Sequence, residues 1–199
     1  NRVSIVIDCD FENQMNDNEM KKLVKQINRC YSINKHSEAP CQLYITSIRG
    51  LIKDKFIKCQ PGYVNWDAHC LECNWKEMFS DKNKVIYLTS ESENVLPEPK
   101  EINDSSKIFI IGGLVDHNRH KGLCHQMAQY SGFAHARLPI DEHIKMTQRR
   151  VLAVNHGMSF HLFVNFVYLF LFLVFEIMLL ASNGLAWSDA FVKVIPQRK

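Results

Sequence analysis

Between Ile111 and Leu123 the chain reads IGGLVDHNRHKGL, and here the residue types are best suited to chemistry. One carboxylate, Asp116, stands among His117, Asn118, Arg119, His120 and Lys121. An acid surrounded by cations and amides is suited to accept a proton or to orient a substrate. Gly112 and Gly113 precede it. Lacking a Cβ and free to adopt positive φ, they allow the main chain to come close to a ligand. The same pattern equally describes a surface loop whose charges are only solvated. A second pair of acids, Asp8 and Asp10, flanks Cys9. They stand at a strand end, where they could face a ligand or cap the next helix.

These residues need elements to hold them. The apolar, β-branched run from Lys107 to Ile111 predicts a buried strand ending at the two glycines. Val3 to Ile7 predicts another strand, closing on Asp8. Met20, Leu23, Val24, Ile27 and Cys30 recur at helical spacing and predict a helix from about Asp17 to Tyr31. Its other side carries Lys21, Lys22, Lys25 and Arg29, a solvated face first and an RNA-facing one second. Gln42 to Thr46 and Lys84 to Leu88 predict further strands, and Ala134 to Leu138 a last one, stopped by Pro139. Short helices are predicted at Trp75 to Phe79 and Cys124 to Tyr130, a short pairing segment at Val64 to Trp66, and a polar connection from Pro97 to Lys107. Alternating strands and helices imply an α/β domain with a mainly parallel sheet.

Composition bounds the reading further. The 199 residues, 46% hydrophobic, suffice for one sizeable core and one domain spanning 1–199. A net charge of +3 mildly favours an anionic partner without identifying one. The seven cysteines, Cys9, Cys30, Cys41, Cys59, Cys70, Cys73 and Cys124, are odd in number and form no regular framework. That fits a reducing compartment, the cytoplasm or nucleus first and the mitochondrion second. Cys70 and Cys73 are half of a zinc-ribbon spacing without its second half, and the nine histidines lack ligand spacing, so no metal site is expected. No phosphate-binding glycine loop and no zinc-protease helix motif is present.

Six segments read together carry a resemblance: VIDCDFE from Val6, YLTSESENV from Tyr87, the stretch beginning at Ile111, LPI from Leu138, RVLAVNH from Arg150 and VIPQRK from Val194. In order and spacing they resemble the tRNA purine-9 N1-methyltransferases of the SPOUT superfamily. The resemblance implies a SPOUT-type mainly parallel sheet flanked by helices, with a C-terminal trefoil knot. It implies S-adenosyl-L-methionine as methyl donor, tRNA as partner, monomeric action, and methylation of N1 of the purine at tRNA position 9, guanine first. It makes Asp116 the catalytic proton acceptor. Leu88, Gly112, Asp116, His117, Asn118, Arg119, His120, Cys124, Leu138, Arg150, Val151 and Leu152 would line the donor pocket, with Asp8 and Asp10 supporting it from the same opening. The resemblance also implies a basic N-terminal extension for tRNA; none precedes Val3 here, which predicts weak tRNA affinity.

One departure interrupts the pattern. Where the family runs from Val-Asn-His straight into Val-Phe-Glu-Ile, this chain inserts GMSFHLFVNFVYLFLFL, residues 157–173, before Val174. We read the insert as the translation of a retained intron, because its removal restores the family pattern and its Phe/Leu-rich composition is what a pyrimidine tract encodes. A membrane-spanning helix and a buried helix are the alternatives. The expected consequence is weakened donor binding or aggregation. The competing function is accordingly a non-catalytic tRNA-binding or scaffold protein with a disrupted pocket.

Overall fold

Runs rich in Ile, Val, Leu and Tyr pair side by side because both faces of a parallel sheet can be covered by helices. The structure is a computed structural model that describes residues 3–115, 119–143 and 171–195. Its strands are β1 (Ser4–Asp8), β2 (Gln42–Thr46), β3 (His69–Cys70), β4 (Val85–Leu88), β5 (Ile108–Gly112) and β6 (Ala134–Ala136). They form one sheet in the order β3-β2-β1-β5-β4-β6, with every pairing parallel. β1 lies between β2 and β5, with Asp8 in register with Thr46 on one side and Gly112 on the other. The order reverses between β1 and β5, and open α/β sheets bind ligands outside the carboxyl ends of their strands.

Side chains alternate across the sheet. Ile5, Ile7, Leu43, Ile45, Phe109 and Ile111 face α1 (Asp17–Lys35), α2 (Gly50–Cys59) and a late helix, Leu171–Ser182, within the larger core. Val6, Tyr87 and Ile110 face the other way, toward Trp75 of α3 (Trp75–Met78) and Ala128 of α5 (Leu123–Ser131). Two short helices, α4 (Pro99–Ile102) and α6 (Ile140–His143), close the connections. In chain order the late helix is α7, and α8 (Trp187–Val194) packs against it through the stacked rings of Trp187 and Phe191 and their neighbours.

The strands stand where the hydrophobic runs predict them, to within a residue or two at each end. α1 continues four residues past Tyr31, because Asn34 is buried and its amide exchanges hydrogen bonds with the main chain of Cys41, tying the last turn to the entry of β2. One expectation is corrected. Val64 to Trp66 does not pair: residues Pro61–Asn65 form a 3-10 turn and Trp66 stacks on Tyr31, while His69–Cys70 supplies the strand beside β2. The polar connection after Pro97 also holds α4, which buries Ile102.

The described part of α7 includes the last residues of the inserted segment, Leu171 to Leu173. Leu171 and Leu173 are buried, and Phe172 receives the guanidinium of Arg29 over its ring at 3.8 Å. The helix therefore runs without a break across the junction into Val174-Phe175-Glu176-Ile177. For residues 171–180 the chain forms a packed internal helix. Among the described residues, no helix is long and apolar enough to cross a membrane. Residues 157–170 lie outside the described residues, as does the path of 144–156 on which a knot depends.

Candidate functional site

A cleft opens at the carboxyl ends of β4, β5 and β6. Its walls are Leu88, Thr89, Ser90 and Glu91 after β4, Ile111, Gly112 and Leu114 around the end of β5, His120 to Cys124 leading into α5, Arg137 and Leu138 after β6, and Val174 of α7. The cleft is partly open to solvent, and apolar walls with a few polar groups are the usual lining of small-molecule sites. Gly122, at φ 80°, makes the left-handed turn that starts α5 and brings His120 and Lys121 to the rim.

The two glycines serve the protein's own packing. Neither has positive φ. A Cβ on Gly112 would lie 2.6 Å from Cys124 Sγ and 3.1 Å from the Tyr87 hydroxyl. A Cβ on Gly113 would lie 2.7 Å from the Asp8 carbonyl oxygen, to which the Gly113 N–H donates at 2.7 Å. The expectation of a glycine turn shaped for a ligand is thus corrected in its reason: side chains of β4 and α5 and the main chain of β1 claim the space. Gly112 still contributes to the cleft wall.

Directly behind that wall is a buried polar cluster. Asp8 has no solvent exposure. Its carboxylate accepts hydrogen bonds from Trp75 Nε1 at 2.9 Å, from the Asp10 N–H at 3.1 Å and from the Tyr87 hydroxyl at 3.4 Å. Burial pushes the carboxyl up to about 6, and the hydrogen bonds from Asp10 and Trp75 hold it from rising further. Tyr87, also fully buried, is held well above the ordinary tyrosine range by burial, and its hydroxyl and the Cys124 thiol both crowd the position of a Gly112 Cβ. Asp10 turns elsewhere: its carboxylate pairs with Arg49 at 2.8 Å and accepts from Asn74 at 3.0 Å, on the other side of β1 from the cleft walls.

Of the residues the sequence nominated, Leu88, Gly112, His120, Cys124 and Leu138 come together in the cleft. Arg119 does not join them. Its guanidinium donates to Glu19 Oε2 at 2.6 Å and to the Gln14 carbonyl at 3.1 Å. Asp116, His117, Asn118, Arg150, Val151 and Leu152 lie outside the described residues. The ends of the loop that carries Asp116 are nevertheless fixed: Val115 is buried with its N–H on Met15 Sδ at 3.4 Å, and Arg119 is held as above. Both ties reach the short connection between β1 and α1. Residues that sequence reasoning missed, Thr89, Ser90, Glu91 and Arg137, sit one to three positions beyond strand ends, and Val174 is brought in by the fold alone.

Among the described residues no group of three or more His, Cys, Asp and Glu side chains is placed to hold a metal ion. All seven cysteines are free thiols. On the basic face of α1, Lys21 pairs with Asp17 at 2.6 Å and Arg29 lies over Phe172, while Lys22 and Lys25 are exposed.

Comparison with known proteins gives this geometry a setting. Residues 1–199 match the family described as tRNA (guanine(9)-N(1))-methyltransferase TRM10/TRM10A. The chain belongs to this family. The tRNA methyltransferase 10 homolog A of Homo sapiens is 42% identical over 196 residues, 98% of this chain and 51% of that protein. The tRNA (guanine(9)-N1)-methyltransferase of Schizosaccharomyces pombe is 37% identical over 202 residues, 99% of this chain and 59% of that protein. The chain spans about half the length of the curated relatives it matches. Among solved structures, full-length spTrm10 in complex with SAH superposes with a TM-score of 0.78 at 34% identity, covering 98% of this chain and 95% of that one. The dual-specific Trm10 of Thermococcus kodakaraensis, 19% identical, shares the fold with a TM-score of 0.66 over 96% of this chain and 99% of that one. The parallel sheet and its flanking helices are thus the SPOUT-type architecture of the Trm10 proteins.

Proposed function

We propose that this chain transfers a methyl group from S-adenosyl-L-methionine to N1 of guanine at position 9 of tRNA. One observation carries the reading: five nominated residues, Leu88, Gly112, His120, Cys124 and Leu138, converge on one cleft, in a fold shared at 34% identity with a Trm10 protein solved with SAH. The cleft fits the donor. Leu88, Ile111, Leu114, Leu138 and Val174 offer apolar surface for a flat ring, and Thr89, Ser90, Glu91 and Lys121 offer polar and charged groups for its hydroxyls and its amino-acid end.

When bound, the donor supplies an electrophilic methyl on a sulfonium. What this chain must do is hold that cleft rigid, orient the purine edge, and take a proton. Guanine N1 carries a proton that must leave as the new bond forms. We assign its acceptance to Asp116. With an aspartate near 3.9 and guanine N1 at roughly 9, complete transfer before attack is uphill by about 7 kcal/mol. The proton therefore moves as the N1–C bond forms and N1 becomes acidic. Val115 and Arg119, on either side of residues 116–118, are each held by a hydrogen bond, which supports this role, because a base must be held in line with the reacting atom to contribute by proximity. Arg150, Val151 and Leu152 complete the proposed donor pocket.

Working as a monomer in a reducing compartment, cytoplasmic or nuclear, is part of the same proposal, and the free thiols support the compartment. The test is methylation of unmodified tRNA scored at nucleotide 9 by primer extension. Wild-type protein should methylate guanine there, and Asp116→Asn should lose most guanine activity while keeping SAH binding. Binding of SAH and tRNA without methylation would favour the scaffold reading instead.

A further inference from the structure

The reaction as proposed leaves one buried ionisable group without a task, and that group stands immediately behind the cleft. Asp8 sits at the end of β1 on the face covered by α3 and α5. Three donors converge on its carboxylate, one from its own loop, one from α3 and one from β4: the Asp10 N–H, the Trp75 indole and the Tyr87 hydroxyl. The Tyr87 oxygen in turn lies where a Gly112 side chain would begin, beside the Cys124 thiol. Gly112 and Cys124 are cleft walls, whereas Asp8 and Tyr87 have no solvent exposure. The order from core to cleft is therefore Asp8, Tyr87, Cys124 with Gly112.

We propose that Asp8 is a positioning residue for the donor cleft, acting through Tyr87 on the Cys124 thiol and the Gly112 main chain, so that gain or loss of its charge changes donor affinity. The inference rests on reading the cleft as the donor site. A phenol has one proton. While Asp8 is ionised, Tyr87 must donate that proton to the carboxylate. Once Asp8 is protonated, the carboxyl can donate to the phenol oxygen, and the phenol proton is released toward the wall where Cys124 and Gly112 stand. The hydrogen bond between Asp8 and Tyr87 then reverses, and the wall faces a donor where it had faced lone pairs.

The groups facing Asp8 make this a titration within reach of neutral pH. Burial raises its carboxyl to about 6, and the Asp10 charge adds to the rise; Lys76 of α3 and the hydrogen bonds of Asp10 and Trp75 oppose it. From β4 comes Tyr87, which burial holds neutral at that pH, and from α5 comes the Cys124 thiol. β5 presents only Gly112, which has nothing to titrate.

The experiment follows two signals in wild-type protein between about pH 5 and 8: the Trp75 indole proton by NMR, which reads the charge of Asp8, and the Kd for SAH by calorimetry. The two should share one midpoint near that of Asp8, with SAH binding differing by about threefold to tenfold between its ends, the net worth of one hydrogen bond. Tyr87→Phe keeps the ring and removes the link, so the indole should still titrate while the SAH profile becomes flat. A pH profile that survives in Tyr87→Phe belongs to another group, such as His120 at the rim, and overturns the inference. SAH binding that is flat in wild type overturns it too and leaves the donor site standing. No SAH binding at any pH overturns the donor reading and this inference with it.

Discussion

The two faces of this sheet are built differently. Under α1, α2 and α7, Ile5, Ile7, Leu43, Ile45, Phe109 and Ile111 meet Leu23, Ile27, Phe56 and Phe175 in an apolar layer. Under α3 and α5, a carboxylate, a phenol and an indole are buried together among Val6, Ile110 and Phe133. The first face needs only apolar volume and holds the domain together. The second spends some stability on a desolvated charge, and it is the one that backs the cleft. Buried polar groups must be fully paired to be tolerated, so the second face admits fewer alternative side chains.

The largest effect should come from the apolar face. Phe175→Ala empties a fully buried site in α7, and urea unfolding should show a loss of about 3 to 5 kcal/mol. A loss under about 1 kcal/mol would mean that α7 is not part of the cooperative core.

On the polar face the signature is pH dependence. The folded-state carboxyl of Asp8 is raised from 3.8 to about 6, so between those values the folded protein holds a proton that the unfolded chain has released. Its contribution to stability is present below about pH 4 and is lost as pH rises through about 6, a total of roughly 3 kcal/mol. His135 acts in the opposite sense. Burial lowers its pKa, so its contribution is lost as pH falls. Comparing wild type with Asp8→Asn in urea near pH 5 and near pH 8 isolates the aspartate: the falling component should vanish in the variant. Equal slopes in the two proteins would remove the distinction drawn between the faces.

Trp75→Phe should cost about 1.5 to 3 kcal/mol near pH 8 and less near pH 5, since the indole bonds most strongly to an ionised carboxylate. A loss independent of pH would reduce Trp75 to packing alone. The smallest effect is expected at α2, where Glu12 accepts from the N–H groups of Leu51 at 2.8 Å and Ile52 at 3.4 Å. Glu12→Ala should lower stability by about 1 kcal/mol, as loss of a helix cap does, and should leave SAH affinity unchanged.

The comparison also shows what could be read from the chain alone. β1, β2, β4 and β5 are legible because a strand buried on both faces is an unbroken apolar run, and α1 because five apolar residues recur on one side; its Asn16 and Glu19 capping box was not read from the chain. α2 was not legible. It buries only Ile52 and Phe56, and its cap comes from Glu12, nearly forty residues earlier. Five cleft residues were legible through the family motifs, but the reason given for the glycines was incomplete: their neighbours Cys124, Tyr87 and Asp8 are distant in sequence. Arg119 illustrates the same limit, since its partner Glu19 lies a hundred residues away and draws it from the cleft.

The insert divides in the same way. Its last three residues read as part of a foreign segment, yet they are helical in α7, two of them in the apolar core, with Val174 next to them at the cleft wall. An apolar tripeptide is all that the first face asks of them, which is why a departure from the family sequence is accommodated there. The expected weakening of donor binding then rests on residues 157–170 rather than on α7.

The claim on which the account depends is that the donor occupies the cleft at the ends of β4, β5 and β6. Hydrogen exchange by mass spectrometry, with and without saturating SAH, tests it directly. Slower exchange should appear in the segments around Leu88 to Glu91, Ile111 to Leu114, His120 to Cys124 and Arg137 to Leu138, with the start of β2 and the turn at Trp66 unchanged. Protection centred on Trp66 to His69, or none at the four segments while SAH is demonstrably bound, would contradict it.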